Sequence, residues 1–194
     1  PAEPVRLARR KIVIDPGHGG RDSGATGRRG VHEKDINLLA AKELAARLRK
    51  DGSFEVVLTR DQDVFVPLAE RSRIANDFGA DLFVSLHCNA NRQRSEKGFE
   101  IYFLSERASD PEAERVAEME NASLALEAGG GSAPDAEAAL LLHALARTEF
   151  INDASVAAGV ISKALSRHVA FPDRGVKQAA VYVLRGTSAP AILV

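Results

Sequence analysis

A short β-branched run, Ile12-Val13-Ile14, ends at Asp15, and Pro16-Gly17-His18-Gly19-Gly20 follows at once. Such a run is long enough for one strand and too short for a helix, and the Pro-Gly pair stops it. Any fold this chain adopts must therefore bury a strand here and present an acid and a histidine where it ends. Residues 16–32 hold six glycines, which predicts a loop or a small hairpin. Glu33 then stands at the head of an amphipathic segment. From Asp35 to about Lys50, Ile36, Leu39, Ala40, Leu44 and Leu48 recur at helical spacing, and Asp51-Gly52 closes the helix.

The alternation continues down the chain. Phe54–Thr59 reads as a second strand, and Pro67 to about Phe78 as a helix stopped by Gly79. Asp81–Leu86 reads as a third strand with His87 at its end, and Gly98–Leu104 as a fourth. Ala180–Leu184 and Ala191–Val194 bring the number to about six. Strands alternating with helices predict an α/β fold, a mostly parallel twisted sheet flanked by helices. At 194 residues one domain is expected, with the basic, proline-containing residues 1–10 as a loose lead-in.

The segment 105–170 breaks the rhythm. Pro111 to about Leu126 is helical in pattern and highly charged, and Gly129-Gly130-Gly131 marks a flexible break. Asp135 to about His168 reads as one long helix, with Leu142, Leu145, Phe150, Ala154, Ala157, Ile161 and Leu165 on its apolar side.

Charge and composition remove several classes of function. The 26 basic and 27 acidic residues are evenly mixed, for a net charge of -1, and give no reason to expect nucleic acid as a partner. No apolar run approaches the roughly 18 residues of a transmembrane segment. No basic start with an apolar region marks a signal peptide, although a first residue of Pro1 suggests processing or trimming. Cys88 is the lone cysteine, so no internal disulfide forms.

Parallel first and third strands place His18 and His87 together at the carboxyl edge of the sheet, where open α/β folds build their sites. Glu33, at the head of its helix, can turn toward the same edge. Two histidines and a carboxylate suit zinc (Zn2+), with a fourth position left for water, whose pKa the ion lowers to about 7. Other readings stand beside this one. A strand-end histidine is more often a hydrogen-bonded structural residue, and Asp-Pro-Gly is an ordinary turn signal. Glu33 can simply complement the helix dipole. A glycine-rich loop can cradle phosphate, though this one fits neither Gly-x-Gly-x-x-Gly nor the P-loop pattern. Spacing alone leaves these open.

Several motifs occur in order: Ile-Asp-Pro-Gly-His-Gly-Gly, Glu33-Lys34-Asp35-Ile36-Asn37-Leu38, Thr59-Arg60, Leu68-Ala69-Glu70-Arg71, and Asp81-Leu82-Phe83-Val84-Ser85-Leu86-His87-Cys88-Asn89-Ala90. From Lys11 to Val194 the chain resembles the zinc-dependent N-acetylmuramoyl-L-alanine amidases of bacterial peptidoglycan. The resemblance implies zinc ligands His18, Glu33 and His87. It also implies hydrolysis of the amide joining the lactyl group of N-acetylmuramic acid to L-alanine. The family's general base is a glutamate directly after a strand resembling Pro190-Ala191-Ile192-Leu193-Val194, so it is expected immediately after Val194. The chain therefore reads as cut short, and as written is expected to bind zinc but hydrolyse poorly.

The insertion at 105–170 resembles the cell-division subgroup of these amidases. In that subgroup an inserted helix covers the site and a glutamate fills the metal's open position. Glu120 is the best match, with Glu114 and Glu118 as competitors. An activator protein is expected to bind 105–170, and the substrate implies a periplasmic location. Asp15 is expected to orient a ligand histidine or the loop from behind. His32 is a competitor for Glu33, and Arg60 and Arg71 are expected to pair with loop carboxylates. Cys88 is expected to point away and pack as a small apolar residue, His143 and His168 to lie on the surface, and Asn89 to contact substrate. Two rival functions remain. A zinc carboxypeptidase would need an arginine clamp that the sequence does not single out. A catalytically inactive peptidoglycan-binding or regulatory module is the other.

Overall fold

Ile12, Val13 and Ile14 lie in β1 (Arg10–Pro16), with Val13 and Ile14 fully buried, because helices cover both faces of this strand. The computed structural model describes residues 8–27, 29–88, 97–127 and 137–194, of which 137–146 by backbone alone. The triple glycine, Asn89 and the side chains of Leu142, His143 and Leu145 lie outside the described residues. After β1 come α1 (Glu33–Asp51), β2 (Phe54–Leu58), α2 (Leu68–Phe78), β3 (Leu82–Leu86) and β4 (Phe99–Leu104). Next are α3 (Pro111–Asn121), a 3-10 helix (Ala122–Leu126), α4 (Glu137–His168), β5 (Asp173–Ala179), α5 (Tyr182–Arg185) and β6 (Ala191–Leu193). No described helix is long and apolar enough to cross a membrane.

The six strands form one sheet in the order β2-β1-β3-β6-β4-β5. All neighbours are parallel except β4 and β6, so the mostly parallel α/β expectation holds. The register sets Asp15 beside Ser85 and Pro16 beside Leu86. β1 and β3 consequently run out together, and the residues that follow them share one edge.

Alternation along the strands divides the core in two. On one face Ile12, Ile14 and Val56 meet Ala41 and Ala45 of α1, while Val84, Ile101, Phe103 and Ile192 meet Ala154 and Ala158 of α4. On the other, Val13, Phe83, Tyr102 and Leu193 meet Ala75 of α2 and Ala113, Val116 and Ala117 of α3. In α1 the buried row is Glu33, Asn37, Ala41 and Ala45, spaced by four. Its sheet end is alanine and its loop end polar. Ile36, Leu39 and Ala40, expected on the apolar side, are exposed instead.

Helix stops follow the predicted chemistry. Gly52 (φ 82) and Gly79 (φ 67) end α1 and α2 in the left-handed conformation that glycine adopts without a Cβ penalty. Asp110 caps α3 by accepting from the backbone N–H groups of Glu112 and Ala113, with Pro111 in the first turn.

Two expectations fail near the carboxyl end. The run Ala180–Leu184 is not a strand. Val181 precedes the short helix α5, and Val183 and Leu184 are buried within it. The neighbouring strand is β5, parallel to β4. The helix expected to run to Leu126 also tightens to 3-10 geometry after Asn121.

Candidate metal centre

The loop after β1 is held from behind by two buried arginines. Arg71 pairs with Asp15 at 2.8 Å and donates to the carbonyls of Pro16 and His18, each at 2.8 Å. Arg60 donates to the carbonyls of Pro16 and Gly17, each at 2.9 Å. Arg71 thus meets the expected acid pairing, whereas Arg60 serves carbonyls instead of a loop carboxylate. Asp15 is fully enclosed, accepting also from Thr59 Oγ1 at 2.5 Å and Ser85 Oγ at 2.7 Å. Burial pushes its carboxyl up, but the Arg71 guanidinium and these hydroxyls more than reverse that and leave it below the ordinary value.

This backing matters because His18 sits at φ 60, in the left-handed region that side-chain-bearing residues rarely adopt. Such a conformation persists only where the surroundings over-determine it. Here the bond from Arg71 to the His18 carbonyl does so. The glycines give clearance: a Cβ on Gly17 would stand 2.3 Å from the His87 ring, and one on Gly24 2.5 Å from the His18 ring.

The side chains of His18, Glu33, His87 and Glu120 converge, each offering one donor atom, and these atoms all lie within 4.8 Å of one another. Glu33 Oε1 is 3.3 Å from both His18 Nε2 and His87 Nδ1. Glu120 Oε2 is 2.8 Å from His87 Nδ1 and 3.6 Å from His18 Nε2. Those two ring nitrogens are buried and make no aligned hydrogen bond. Glu33 is fixed by its other contacts, accepting from the N–H of Ala25 at 2.9 Å and of Cys88 at 2.7 Å. Two orphaned imidazole nitrogens facing two carboxylates form a nitrogen-and-oxygen donor set that fits a divalent cation.

The electrostatics agree with that fit. Burial pushes His87 down, yet Glu120 and Glu33 outweigh it and raise the imidazole to about 10. For His18, burial is likewise outweighed, by Asp22 and Glu33, and the ring rises to about 9. Burial raises Glu33, but the two histidines hold its carboxyl well below the usual range. The field in this cluster favours positive charge between the rings, and a bound cation supplies it with both imidazoles neutral.

The sequence reading missed Asp22. Its Oδ2 lies 3.0 Å from His18 Nδ1, the relation that fixes a ligand histidine's tautomer and turns Nε2 toward the cluster. An acid four residues after a histidine in a glycine loop carries no periodicity that separates it from an ordinary turn acid. Asp15 takes only the other role expected of it: it touches neither imidazole and acts on the loop through Arg71. His32 bonds Thr26 Oγ1 through Nδ1 at 3.2 Å and stays outside the cluster. Cys88 does not pack away from the site as an apolar residue. It is exposed, and its thiol donates to Asn37 Oδ1 at 3.4 Å. His168 is exposed, as expected.

Among the acids of 111–127, Glu120 is buried in the cluster, while Glu114 and Glu118 face solvent. The residues around it roof the same cavity. Ser123 Oγ donates to Asp22 Oδ2 at 2.7 Å, Glu127 accepts from the Leu68 N–H at 2.6 Å, and Arg21 donates to the Leu126 carbonyl. Asn121 accepts from the Tyr182 N–H at 2.7 Å and donates to the Ala180 carbonyl at 3.0 Å. Phe65, Val66 and Leu68 wall one side of the cavity, and Val181 and Val183 the other.

Comparison with known proteins follows the same edge of the sheet. Residues 12–194 match the family model Amidase_3, N-acetylmuramoyl-L-alanine amidase. The N-acetylmuramoyl-L-alanine amidase AmiA of Escherichia coli K12 is 38% identical over 189 residues, which cover 96% of this chain and 64% of AmiA. The chain thus spans just under two thirds of that relative's length. The N-acetylmuramoyl-L-alanine amidase of Clostridium difficile 630 superposes with a TM-score of 0.69 at 27% identity, covering 96% of this chain and 78% of that one. AmiC2 of Nostoc punctiforme gives 0.65 at 32%, covering 95% and 77%. A sheet of this order, with its polar cluster at the strand ends and a family match from Ile12 to Val194, leaves one assignment: the chain belongs to the N-acetylmuramoyl-L-alanine amidase family.

Proposed function

We propose that the chain is a zinc-dependent peptidoglycan hydrolase. It cleaves the amide between the lactyl group of N-acetylmuramic acid and L-alanine, with zinc held by His18, Glu33 and His87. The observation that carries this reading is the convergence of those three residues at the carboxyl edge of the sheet, in a chain of this family. Zinc, when bound, supplies a Lewis acid that polarises an amide carbonyl and makes hydroxide available near neutral pH.

The protein's own groups do the rest. Asp22 keeps the His18 proton on Nδ1. The N–H groups of Ala25 and Cys88 keep Glu33 from swinging out. The apolar walls at Phe65, Val66, Val181 and Val183 exclude bulk water from the reacting amide. The expected general base is a glutamate directly after Val194. The Val194 carbonyl accepts from the His87 N–H at 2.9 Å, so a residue at that point leaves the sheet beside His87. A carboxylate at that point would be placed to take a proton from the attacking water and deliver it to the leaving amine of L-alanine.

Glu120 keeps the enzyme off in this reading. Its carboxylate occupies the place that water and the substrate carbonyl need, so Glu120 and the roof at 121–127 act as a displaceable lid on the fixed start of α3. The proposed activator acts on the insertion. Support comes from Val156 and Val160 of α4, which are 66% and 65% exposed one turn apart. A septal role and a periplasmic location complete the proposal. The amidase reading is tested by zinc content together with peptide release from purified peptidoglycan, for the protein carrying a glutamate directly after Val194 (the wild type of these tests) and for its Glu120→Ala variant. Zinc binding with faster release from Glu120→Ala is the expected result. Absence of stoichiometric zinc from the wild type, or release indifferent to its removal, refutes the metal assignment; unchanged release from Glu120→Ala refutes the lid. Deleting 112–170 outright is the poorer test, because α3 and α4 both cover the sheet.

A further inference from the structure

Arg21 follows the glycines of the β1 loop and precedes Asp22. Its guanidinium stacks over the Phe65 ring, 4.3 Å from the centroid. Phe65 is itself a wall of the cavity that holds His18 and His87. The platform beneath Arg21 is fixed. The Gly20 N–H donates to Asp63 at 2.7 Å, and a Cβ on Gly20 would stand 2.6 Å from the Phe65 nitrogen, so the two loops are in direct contact. Among the described residues the guanidinium meets only this ring and the Leu126 carbonyl, and no carboxylate. It is an exposed, oriented cation against the outer side of a cavity wall, and among the described residues its one polar partner is a neutral carbonyl at the end of the roof.

We propose that Arg21 is a specificity residue that binds a carboxylate of the peptide leaving group, and that the Leu126 carbonyl holds its place while the roof is closed. The proposal rests on the amidase reading and names the part of the substrate the site selects. In peptidoglycan the residue after L-alanine is a D-glutamate joined through its side chain, which leaves its α-carboxyl either free or amidated. That group lies about two residues, roughly 7–10 Å, from the scissile amide. Arg21 is three residues from His18, so their Cα atoms are at most about 11 Å apart. The lengths match. A guanidinium–carboxylate contact is charge-assisted and forked, and it outcompetes a single bond to a neutral carbonyl. Substrate therefore takes from the roof one of the contacts that keep it shut.

The test is a ratio, since a looser roof alters affinity for every ligand alike. The tripeptide L-alanyl-γ-D-glutamyl-L-lysinamide, whose third residue takes up the γ-carboxyl and leaves the α-carboxyl free, and the same peptide with that carboxyl amidated are titrated calorimetrically into the zinc-loaded wild type, Arg21→Ala and Arg21→Lys. The wild type is expected to favour the free acid roughly five- to tenfold. Arg21→Ala should bring that ratio to about one, and Arg21→Lys should keep part of it because charge remains while the fork is lost. A wild type that binds the two peptides equally, or neither, overturns the proposal. So does Arg21→Ala shifting both affinities by the same factor, which would leave Arg21 a latch and nothing more. Peptide release from peptidoglycan by the same protein carrying a glutamate directly after Val194 reports separately on the amidase reading. Release that persists beside an insensitive ratio removes the Arg21 proposal alone, whereas no release removes the reading beneath it.

Discussion

The loop that carries His18 and the segment that carries Glu120 bring donor atoms to the same few ångströms and are held there by opposite means. Behind His18 stand buried arginines, an enclosed aspartate and glycines whose missing side chains the neighbouring rings require. Around Glu120, the 3-10 helix and its flanks rest on single hydrogen bonds from Ser123, Glu127, Asn121 and Arg21, several of them exposed. A buried ionic network costs several kcal/mol to break, while each single bond contributes on the order of 1 kcal/mol. Three of the four donors are therefore built into the fold. The fourth sits at the end of α3, whose Ala113, Val116 and Ala117 are core, so it leaves by a swing of its side chain and loosening of 121–127 and not by lifting the helix.

The largest effect that would break this contrast is on metal affinity. His18→Ala is expected to weaken zinc binding more than about a thousandfold, measured by chelator competition, and Glu120→Ala less than about tenfold. Similar losses for the two would make Glu120 a permanent ligand. Next in size is the support of the loop. Arg71→Ala should cost about 3 kcal/mol or more in denaturant unfolding, because it leaves the Asp15 carboxylate buried and unpaired. The same pair predicts a pH dependence. Asp15 titrates below its ordinary 3.8 when folded, so its stabilisation is complete above that value and disappears as pH falls through the lower folded pKa. Asp15→Asn should flatten this acid limb of the stability curve, and an unchanged limb would place the acid sensitivity elsewhere. Asp22→Asn should then weaken zinc about ten- to a hundredfold without unfolding the protein, since its effect on the metal runs through His18. Smallest is Ser123→Ala, which should favour the open roof by about 1 kcal/mol and raise peptide release roughly fivefold with zinc affinity little changed.

The halves of the molecule also differed in how plainly the sequence announced them. Ile12–Ile14 and the strand ending at His87 are buried on both faces, so they read as continuous apolar runs with punctuation at the site. β5 hid for the opposite reason. On its side toward α3, Ala179 joins the core while Lys177 is kept there by Glu100 and Glu112 instead of by apolar packing. A strand whose inward position is charged shows no apolar alternation. The reverse error arose at Val181–Leu184, where a short apolar run cannot reveal its period and the chain turns into α5. At the site, His18, Glu33 and His87 stood out as candidates because each sits at the end or head of a regular element, and the family resemblance joined them into one ligand set. Asp22 was not, because its place depends on a fold within the loop itself. Glu120 was legible by resemblance alone, since nothing in a charged helix distinguishes the one acid that is buried.

β6 lies between β3 and β4, yet it comes later in the chain than both. Within the sheet, the half that carries the three family ligands, β2-β1-β3, has no neighbour in the half that carries the roof until Ala191–Leu193 slot between them. During synthesis, then, the strands that position the ligands can pair early, whereas the roof gains its seat over them only when this central strand is threaded in. Closing such a long-range gap late is slow relative to local pairing. On the proposed reading, the order of assembly puts the candidate zinc ligands ahead of the segment proposed to restrain them. A newly made chain accordingly passes through an interval in which the ligand edge is formed and nothing yet covers it.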